Sequence, residues 1–280
     1  MYSFNRYPYD DDRIQKRIPE LLACNVEEKL PGFSDEDMIG FIDLTSLEGS
    51  DTDDRVKDIC KKAMELPEKT AKGITVAAVC FYPLFIRLAK KQLSGTSIRV
   101  ASVAGAFPAG QSPLKIKLDE VRYAVDEGAD EIDMVISRGK LLQGDQNAVF
   151  DEIAAMREIC KNIHLKVILE TGELETVENI RLASETAIAA GADFIKTSTG
   201  KVQPAAKEAA FIIMADTVKE HFTKTGKRVG LKPAGGISSP EKALSFLKII
   251  LMAAGPEWVD KRFFRIGASR LLDALLHHDK

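Results

Sequence analysis

The sequence predicts a single (β/α)8 (TIM) barrel of the α/β class, preceded by an N-terminal helical extension. Short apolar runs of strand length recur eight times from residue 41 onward, and each is followed by a longer charged, amphipathic stretch. Eight alternating units of this kind favour a closed parallel barrel. The chain has 280 residues, and a barrel of this class typically needs about 250 residues.

The eight runs are rich in β-branched and apolar residues, as expected for parallel strands that are buried on both faces. In chain order they are FIDLT (41–45), TVAAVC (75–80), RVASVAG (99–105), EIDMVI (131–136), LKVILE (165–170), FIKTST (194–199), RVGLKPAG (228–235) and FRIGAS (264–269).

Helical patterns separate these runs. Residues 51–66 repeat apolar side chains on one helical face after an acidic start, and residues 112–128 and 176–191 behave likewise. The latter two end at a glycine suited to the position after a helix, and Ala-Asp and a strand follow, as in an αβ turn. An open doubly wound sheet is the alternative, but it would normally carry a glycine-rich turn after its first strand, which FIDLTSLEGSD lacks.

The first 40 residues fall outside the alternating pattern. We expect residues 1–40 to form an extension with one short helix around 12–30, either packed against the barrel or partly loose. Residues 41–280 then form the barrel domain.

Composition and net charge limit the cellular location and the binding partners that we expect. A net charge of −3 gives no basis for a nucleic-acid or membrane partner, so any phosphate binding needs a local site. No apolar run is long enough to span a bilayer, and the N-terminus lacks the apolar stretch of a signal peptide. The cysteines are widely spaced, at Cys24, Cys60, Cys80 and Cys160, as is usual for structural thiols in a reducing compartment. We therefore expect a cytoplasmic protein, and a homo-oligomer is left open.

Several of the predicted strands contain ionisable residues within otherwise apolar runs. Each of these alone could point outward, but in a barrel one face of every strand fills the interior. Charges on that face must pair with each other. The five residues are Asp43, Asp133, Lys166, Lys196 and Lys232.

Lysines and aspartates packed together have a specific chemical use. Burial and a second ammonium group both disfavour the charged form of a lysine and lower its pKa. The neutral amine can then attack a carbonyl group and form an iminium ion, while a neighbouring carboxylate moves protons. These residues are what a class I aldolase needs, although a structural network of buried ion pairs remains the alternative.

The ends of the last three strands form a second pattern. TSTGKV, PAGGISS and GASR follow strands six, seven and eight, and combine glycines with hydroxyl and basic side chains. Each could be an ordinary turn, but the loops after the late strands of a barrel often bind phosphate. We therefore expect a phosphate site there.

The motifs ADEIDMV, ADFIKTSTGKV, GLKPAGGI and FRIGAS, with FIDLT and VCFYP upstream, closely resemble those of the deoxyribose-phosphate aldolase family. The resemblance runs in order from about residue 40 to 272. It implies reversible cleavage of 2-deoxy-D-ribose 5-phosphate to D-glyceraldehyde 3-phosphate and acetaldehyde, in deoxyribonucleotide catabolism. No cofactor and no metal are implied.

The same resemblance assigns the catalytic roles. Lys196 in FIKTSTG is expected to form the Schiff base, Lys232 in GLKPAGG to lower the pKa of Lys196 and assist proton transfer, and Asp133 in EIDMV to donate and accept protons. The residues alone leave the choice of nucleophile open between Lys166, Lys196 and Lys232.

Supporting roles also follow from the resemblance. Lys166 is expected in a charge network with Asp43, and Glu170 is a candidate member. Two hydroxyl groups are expected to contact the sugar and one cysteine to lie near the pocket without a nucleophilic role; these are Thr45, Thr197 and Cys80. The phosphate site is expected to comprise Gly200, Lys201, Gly235, Gly236, Ser238, Gly267 and Ser269.

The chain departs from the family pattern at its C-terminal end. Arg270 stands where many members have a second serine, and it could add a bidentate phosphate donor or face solvent. The sequence ends in LLHHDK without a tyrosine-bearing tail, and His277 and His278 fit a helix end better than a metal site.

Two alternative functions remain open. The first is another Schiff-base barrel enzyme, such as a transaldolase or sugar-acid aldolase. The second is a catalytically silent barrel that serves as a binding protein.

Overall fold

Eight parallel strands form one sheet in the structure, a computed structural model that describes residues 3–277. Each overlaps one of the eight predicted runs, so the predicted barrel is confirmed. The strands are β1 (Ile42–Thr45), β2 (Ala78–Phe81), β3 (Arg99–Ala104), β4 (Glu131–Val135), β5 (His164–Ile168), β6 (Phe194–Lys196), β7 (Gly230–Lys232) and β8 (Ile266–Ala268).

The strand order closes the sheet into a ring. Each strand from β1 to β7 pairs with its sequence neighbour, and β8 returns to pair with β1. Two parallel bridges, Leu231 with Phe264 and Ala234 with Gly267, join the β7 and β8 segments. The carboxyl ends of all the strands therefore lie at one end of the barrel, where loops can share a site.

Helices surround the sheet, and the three amphipathic patterns singled out in the sequence become α4 (Asp53–Met64), α7 (Leu114–Asp126) and α11 (Val177–Ala189). The first and third of these begin at threonine caps, Thr52 and Thr176, whose side chains accept a backbone N–H from the first turn. The helices are α1 (Asp11–Leu22), α2 (Val26–Lys29), α3 (Asp35–Ile39), α4 (Asp53–Met64), α5 (Leu66–Lys69), α6 (Ile86–Gln92), α7 (Leu114–Asp126), α8 (Arg138–Leu142), α9 (Gln146–Cys160), α10 (Thr171–Leu174), α11 (Val177–Ala189), α12 (Glu208–Thr225), α13 (Pro240–Ala253) and α14 (Leu271–His277). Two short 3-10 helices span Pro83–Phe85 and Pro256–Trp258.

The N-terminal extension differs in detail from its prediction. The single helix expected around 12–30 is divided into α1 and α2, because the chain leaves the first helix at Ala23 and the Asn25 side chain caps the second. Helix α1 packs against α12 and α13. Arg17 anchors it to α12 through a two-point ion pair with Asp216, at 2.5 Å and 2.9 Å.

Small and large residues fit closely in the part of the barrel interior near the amino ends of the strands. Phe194 on β6 lies against Gly230 on β7, where an added Cβ would come within 2.3 Å of the ring. Glycine at position 230 therefore makes room for the Phe194 side chain inside the barrel. Above this layer the interior becomes charged.

Neither end of the chain is described completely. Residues 1 and 2 of the predicted extension lie outside the described range, as do His278 and the last two residues. His277 is the exposed last residue of α14. Between residues 3 and 277, no helix combines the length and apolar character needed to cross a membrane.

Candidate active site

Register partners on neighbouring strands bring a charged cluster together inside the barrel. Asp133 on β4 is the partner of Lys166 on β5, and Lys196 on β6 is the partner of Lys232 on β7. With Asp43 on β1, all five ionisable strand residues singled out in the sequence are at most 2% exposed. Since buried charges need partners, their pairing decides what the cluster can do.

Lys166 is held by three carboxylates. Its Nζ lies 2.9 Å from Asp43 Oδ2, 2.9 Å from Asp133 Oδ1 and 2.5 Å from Glu131 Oε2. Burial alone would lower the pKa of Lys166, but the three carboxylates raise it well above its usual value. Lys166 therefore stays an ammonium ion and is unsuited to nucleophilic attack.

Lys196 and Lys232 differ in how well they are paired. Lys232 Nζ lies 2.5 Å from Asp43 Oδ2 and 2.7 Å from Asp133 Oδ2, and these carboxylates raise the pKa of Lys232 against the effect of burial. Lys196 Nζ has one carboxylate in ion-pair range within the described residues, Asp133 at 2.8 Å. Burial lowers the pKa of Lys196; Asp133 opposes this shift, and the ammonium of Lys232 adds to it. Of the three lysines, Lys196 is the one most easily neutralised.

Arg265 is a member of the cluster that the sequence reasoning missed. It is 2% exposed, and its guanidinium lies 2.7 Å from Asp43 Oδ1 and 2.9 Å from Glu131 Oε1. Burial alone would raise the pKa of Asp43, but the neighbouring cations, Lys166 first, lower it to about 2. The signal that marked the lysines, a charge inside an apolar strand, was also present at Arg265 in FRIGAS.

The charges of these buried side chains do not balance when all of them are ionised. One positive charge is in excess, and loss of the proton from the least-paired lysine removes it. The electrostatics of the whole cluster therefore favour a neutral Lys196. The cations are Lys166, Lys196, Lys232 and Arg265, and the carboxylates are Asp43, Glu131 and Asp133.

A cavity of about 260 Å³ opens at the carboxyl ends of β1, β6, β7 and β8, and Lys196 lines it. Thr45 lines it as well, whereas Lys166 and Lys232 belong to the interior below. The seven residues expected to bind phosphate all line this cavity: Gly200, Lys201, Gly235, Gly236, Ser238, Gly267 and Ser269.

Two glycines shape the turns of the cavity wall. Gly200 and Gly235 have φ of 80° and 85°, which side-chain-bearing residues rarely adopt. A Cβ on Gly235 would lie 2.6 Å from Ala205 Cβ and 2.9 Å from the Cα of Gly200. The backbones of two neighbouring loops thus approach each other closely, as needed to bring N–H groups around an anion.

Glu170 does not join the charge cluster, so its candidate role there is wrong. Its carboxylate instead accepts hydrogen bonds from the backbone N–H and the hydroxyl of Thr199, at 3.3 Å and 2.5 Å. Thr199 Oγ1 in turn accepts the N–H of Lys201, at 3.1 Å. Glu170 has a left-handed backbone, with φ of 57°, which turns its side chain away from the interior and toward the cavity-lining turn.

Thr197 does not lie where a sugar could reach it, which corrects the expected hydroxyl contact. Strand alternation points Lys196 inward and Thr197 outward. The Thr197 hydroxyl is fully buried and bonds both the carbonyl and the N–H of Ala234, at 3.2 Å and 3.0 Å. Thr197 therefore ties β6 to the end of β7. Thr45 lines the cavity, with its hydroxyl donating to the carbonyl of Asp43 at 2.8 Å.

Cys80 lies close to the lysines but is not a reactive thiol. It is fully buried in an apolar cluster with Leu47, Phe107, Val135 and Ile168, among other residues. Burial raises the pKa of Cys80 to about 11, and Asp133 acts in the same direction. A thiol of this pKa is protonated at neutral pH, which agrees with the absence of a nucleophilic role in the sequence prediction.

The rim of the cavity carries charged side chains, one of which had not been foreseen. Lys201 Nζ lies 2.8 Å from Oε1 of Glu48, which comes from the loop after β1. Arg270 is exposed and lines the same cavity, so it both faces solvent and borders the site. Within residues 3–277, no group of three or more His, Cys, Asp or Glu side chains is arranged to hold a metal ion.

The fold and the cavity together define a (β/α)8 barrel with a buried lysine cluster beneath its pocket. A family profile described as DeoC/LacD family aldolase matches residues 38–277. The chain is 45% identical over 254 residues to deoxyribose-phosphate aldolase from Homo sapiens, covering 86% of this chain and 80% of the human protein. It is 46% identical over 241 residues to the Bos taurus enzyme of the same name, covering 82% of this chain and 76% of that protein. The chain belongs to the DeoC/LacD aldolase family.

Solved structures agree with this assignment. The deoxyribose phosphate aldolase from Aeropyrum pernix, described as having a unique tetrameric structure, superimposes with a TM-score of 0.70 at 26% identity. The superposition covers 95% of this chain and 98% of the archaeal one. The barrel and its N-terminal extension thus have a counterpart of nearly the same extent.

Proposed function

We propose that this protein cleaves 2-deoxy-D-ribose 5-phosphate reversibly to D-glyceraldehyde 3-phosphate and acetaldehyde, as a class I aldolase acting in deoxyribonucleotide breakdown. One observation carries the proposal. Lys196 lines the cavity, is the least-paired lysine of the cluster, and has a lowered pKa. The related aldolases named above support the choice of substrate.

The chemistry begins at the aldehyde carbon of the open-chain sugar. The neutral amine of Lys196 attacks C1, and the carbinolamine loses water to give an iminium ion. The proton of the C3 hydroxyl then leaves and the C2–C3 bond breaks, with its electron pair moving toward the iminium nitrogen. D-Glyceraldehyde 3-phosphate departs and leaves an enamine on Lys196.

Protons must next return to the two-carbon fragment. Protonation of the enamine at C2 restores the iminium ion, and water hydrolyses it to acetaldehyde and the free amine of Lys196. Lys196 Nζ and Lys232 Nζ both donate to Oδ2 of Asp133, so Asp133 and Lys232 lie beside the amine that reacts. Their position suits them to hold and return these protons.

The phosphate end of the sugar fits the polar side of the cavity. Gly200, Gly235 and Gly236 allow a close approach to the backbone, and Ser238 adds a hydroxyl group. Lys201 lies on the rim and supplies a cation. Phosphate bound there would place the aldehyde end toward Lys196.

Trapping of the imine tests the proposal. The protein is incubated with acetaldehyde and borohydride, digested, and analysed by mass spectrometry, with Lys196→Met as the matched variant. We expect one ethyl group on Lys196 and none in the variant, together with turnover of deoxyribose 5-phosphate by the unmodified protein. An adduct on Lys232 would refute the assigned nucleophile, and adducts formed only with three-carbon ketones would refute the substrate.

Two further features belong to this proposal. A cytoplasmic location is supported by Cys24, Cys60, Cys80 and Cys160, which are all free and buried. Assembly into a homo-oligomer is supported by the tetramer described for the Aeropyrum pernix relative. Light scattering and cell fractionation would test these two points separately.

A further inference from the structure

An ion pair crosses the mouth of the lysine cavity. Glu48, in the loop after β1, and Lys201, in the loop after β6, both line the cavity and meet at 2.8 Å. The Lys201 side chain is 28% exposed and that of Glu48 is 68% exposed. A carboxylate therefore sits on a wall whose other ionisable side chains are the cations Lys196, Lys201 and Arg270.

The backbone of Glu48 is fixed in place by its own loop. The carboxylate of Asp51 accepts the hydroxyl of Ser46 at 2.8 Å and the N–H of Glu48 at 3.0 Å, and the N–H of Asp51 returns to the Glu48 carbonyl at 3.1 Å. This closed turn, of the type that Asp stabilises, aims the Glu48 side chain at the cavity.

The backbone of Lys201 is fixed from the other side. Its N–H bonds the hydroxyl of Thr199, and Thr199 is held by the buried carboxylate of Glu170. The two loops are thus anchored independently, and the ion pair between their side chains is the part that can rearrange. An exposed pair of this kind contributes only about 0.2–1 kcal/mol, so a better anion can displace the carboxylate.

We propose that Glu48 competes with the phosphate of the substrate for Lys201 and thereby sets the affinity for phosphorylated ligands. Without ligand, Lys201 Nζ is held by the carboxylate of Glu48. When a phosphate enters, Lys201 turns to it, and Glu48 moves into solvent because two anions repel each other at this distance. The affinity for phosphate is therefore lower than the cavity would provide without Glu48. The identity of the phosphorylated substrate rests on the proposed function. The competition between Glu48 and phosphate can be measured without that assumption.

Calorimetric titration with inorganic phosphate tests the competition without any turnover. The variant is Glu48→Gln, and Glu68→Gln on α5, exposed at the opposite end of the barrel, is a control with the same change of net charge. We expect Glu48→Gln to bind phosphate roughly two- to fivefold more tightly, the range that one exposed ion pair supports. The control should bind as the unmodified protein does. The KM for deoxyribose 5-phosphate should fall by the same ratio.

A double-mutant cycle locates the effect at Lys201. Lys201→Gln should weaken phosphate binding, and most of the gain from Glu48→Gln should vanish in that background. Weaker or equal binding by Glu48→Gln would overturn the inference. Weaker binding would mean that Glu48 helps to hold the phosphate, and equal binding would mean that Glu48 has no influence on it. A gain that persists without Lys201 would also overturn it, as would phosphate binding too weak to detect in every variant. The imine-trapping experiment is independent of all three outcomes, so failure here leaves the proposed function to be judged separately.

Discussion

Lys196 and Lys232 donate to the same oxygen atom, Oδ2 of Asp133, at 2.8 Å and 2.7 Å. The two lysines are register partners on β6 and β7, so the barrel itself holds their ammonium groups side by side. One carboxylate oxygen cannot fully neutralise two cations. Because Lys232 has a second carboxylate, Asp43, and Lys196 has none within the described residues, the repulsion falls mainly on Lys196.

Replacement of Lys232 tests this electrostatic relationship. Lys232→Leu removes the neighbouring cation and leaves Asp133 to Lys196 alone, so the pKa of Lys196 should rise. Imine formation should then begin at a higher pH, and turnover should fall by roughly 10²-fold or more because a proton-transfer group is also lost. The rate of borohydride trapping as a function of pH measures the first effect. An unchanged pH profile would mean that Lys232 does not tune Lys196.

Lys196 and Lys232 could be predicted from the sequence as buried charges because the signal that marks them is local. A charged residue inside an apolar strand is visible without any knowledge of the fold, and strand alternation places Lys196 and Asp133 on interior faces. Which lysine is the nucleophile was not decided by the residues alone. That choice depends on how many carboxylates each lysine meets, and the carboxylates come from β1 and β4, distant along the chain.

Lys166 should contribute to stability more than to chemistry. It is the shared cation of Asp43, Glu131 and Asp133, all fully buried. Lys166→Met would leave three buried carboxylates with less compensation, which for a broken buried pair costs about 3–5 kcal/mol. Urea unfolding would measure the loss. The exposed Lys140→Met is a suitable control and should change the free energy of unfolding by at most about 0.5 kcal/mol.

The same cluster predicts how stability depends on pH. The pKa of Asp43 is lowered to about 2, so its stabilisation is complete above its unfolded-state pKa of about 4 and is lost as the pH falls through the folded value. The pKa of Lys166 is raised, so its contribution is complete below about pH 10 and is lost as the pH rises further. Denaturant unfolding over this range should show a plateau that falls at both ends. The cost of Asp43→Asn should shrink toward about pH 2; a cost that is constant with pH would contradict the linkage.

Cys80 should be unreactive in the folded protein. Its thiol is fully buried and its pKa is raised to about 11, so both access and thiolate formation are disfavoured. At about pH 8, near the ordinary thiol pKa, Ellman's reagent should react with Cys80 only after unfolding. Cys80→Ala should still form the trapped adduct on Lys196. Loss of that adduct in a folded Cys80→Ala protein would show that the thiol takes part in the chemistry.

Glu48, a cavity residue that the sequence reasoning missed, owes its position to a non-local contact between two loops, where its carboxylate meets the predicted Lys201. Glu48 and Lys201 are far apart in the chain, and neither segment indicates that the two loops meet at the cavity. Thr197 was misplaced for a different reason. Its expected contact came from the family resemblance, whereas strand alternation already turns Thr197 outward once its neighbour Lys196 faces the interior.

Gly235 provides the test of the phosphate cavity. Gly235→Ala places a Cβ within 2.6 Å of Ala205 Cβ and 2.9 Å of the Gly200 Cα, at a φ of 85°, and the left-handed backbone alone costs about 1–2 kcal/mol. The turn at Gly200 must shift, so the KM for deoxyribose 5-phosphate should rise by roughly tenfold, the equivalent of about 1.4 kcal/mol. Acetaldehyde carries no phosphate, and its trapping on Lys196 should therefore persist. Gly139→Ala on α8, where a Cβ would meet only an ordinary contact at 3.5 Å, controls for the loss of a glycine. If both variants keep the same KM, the glycine turn does not form the phosphate site.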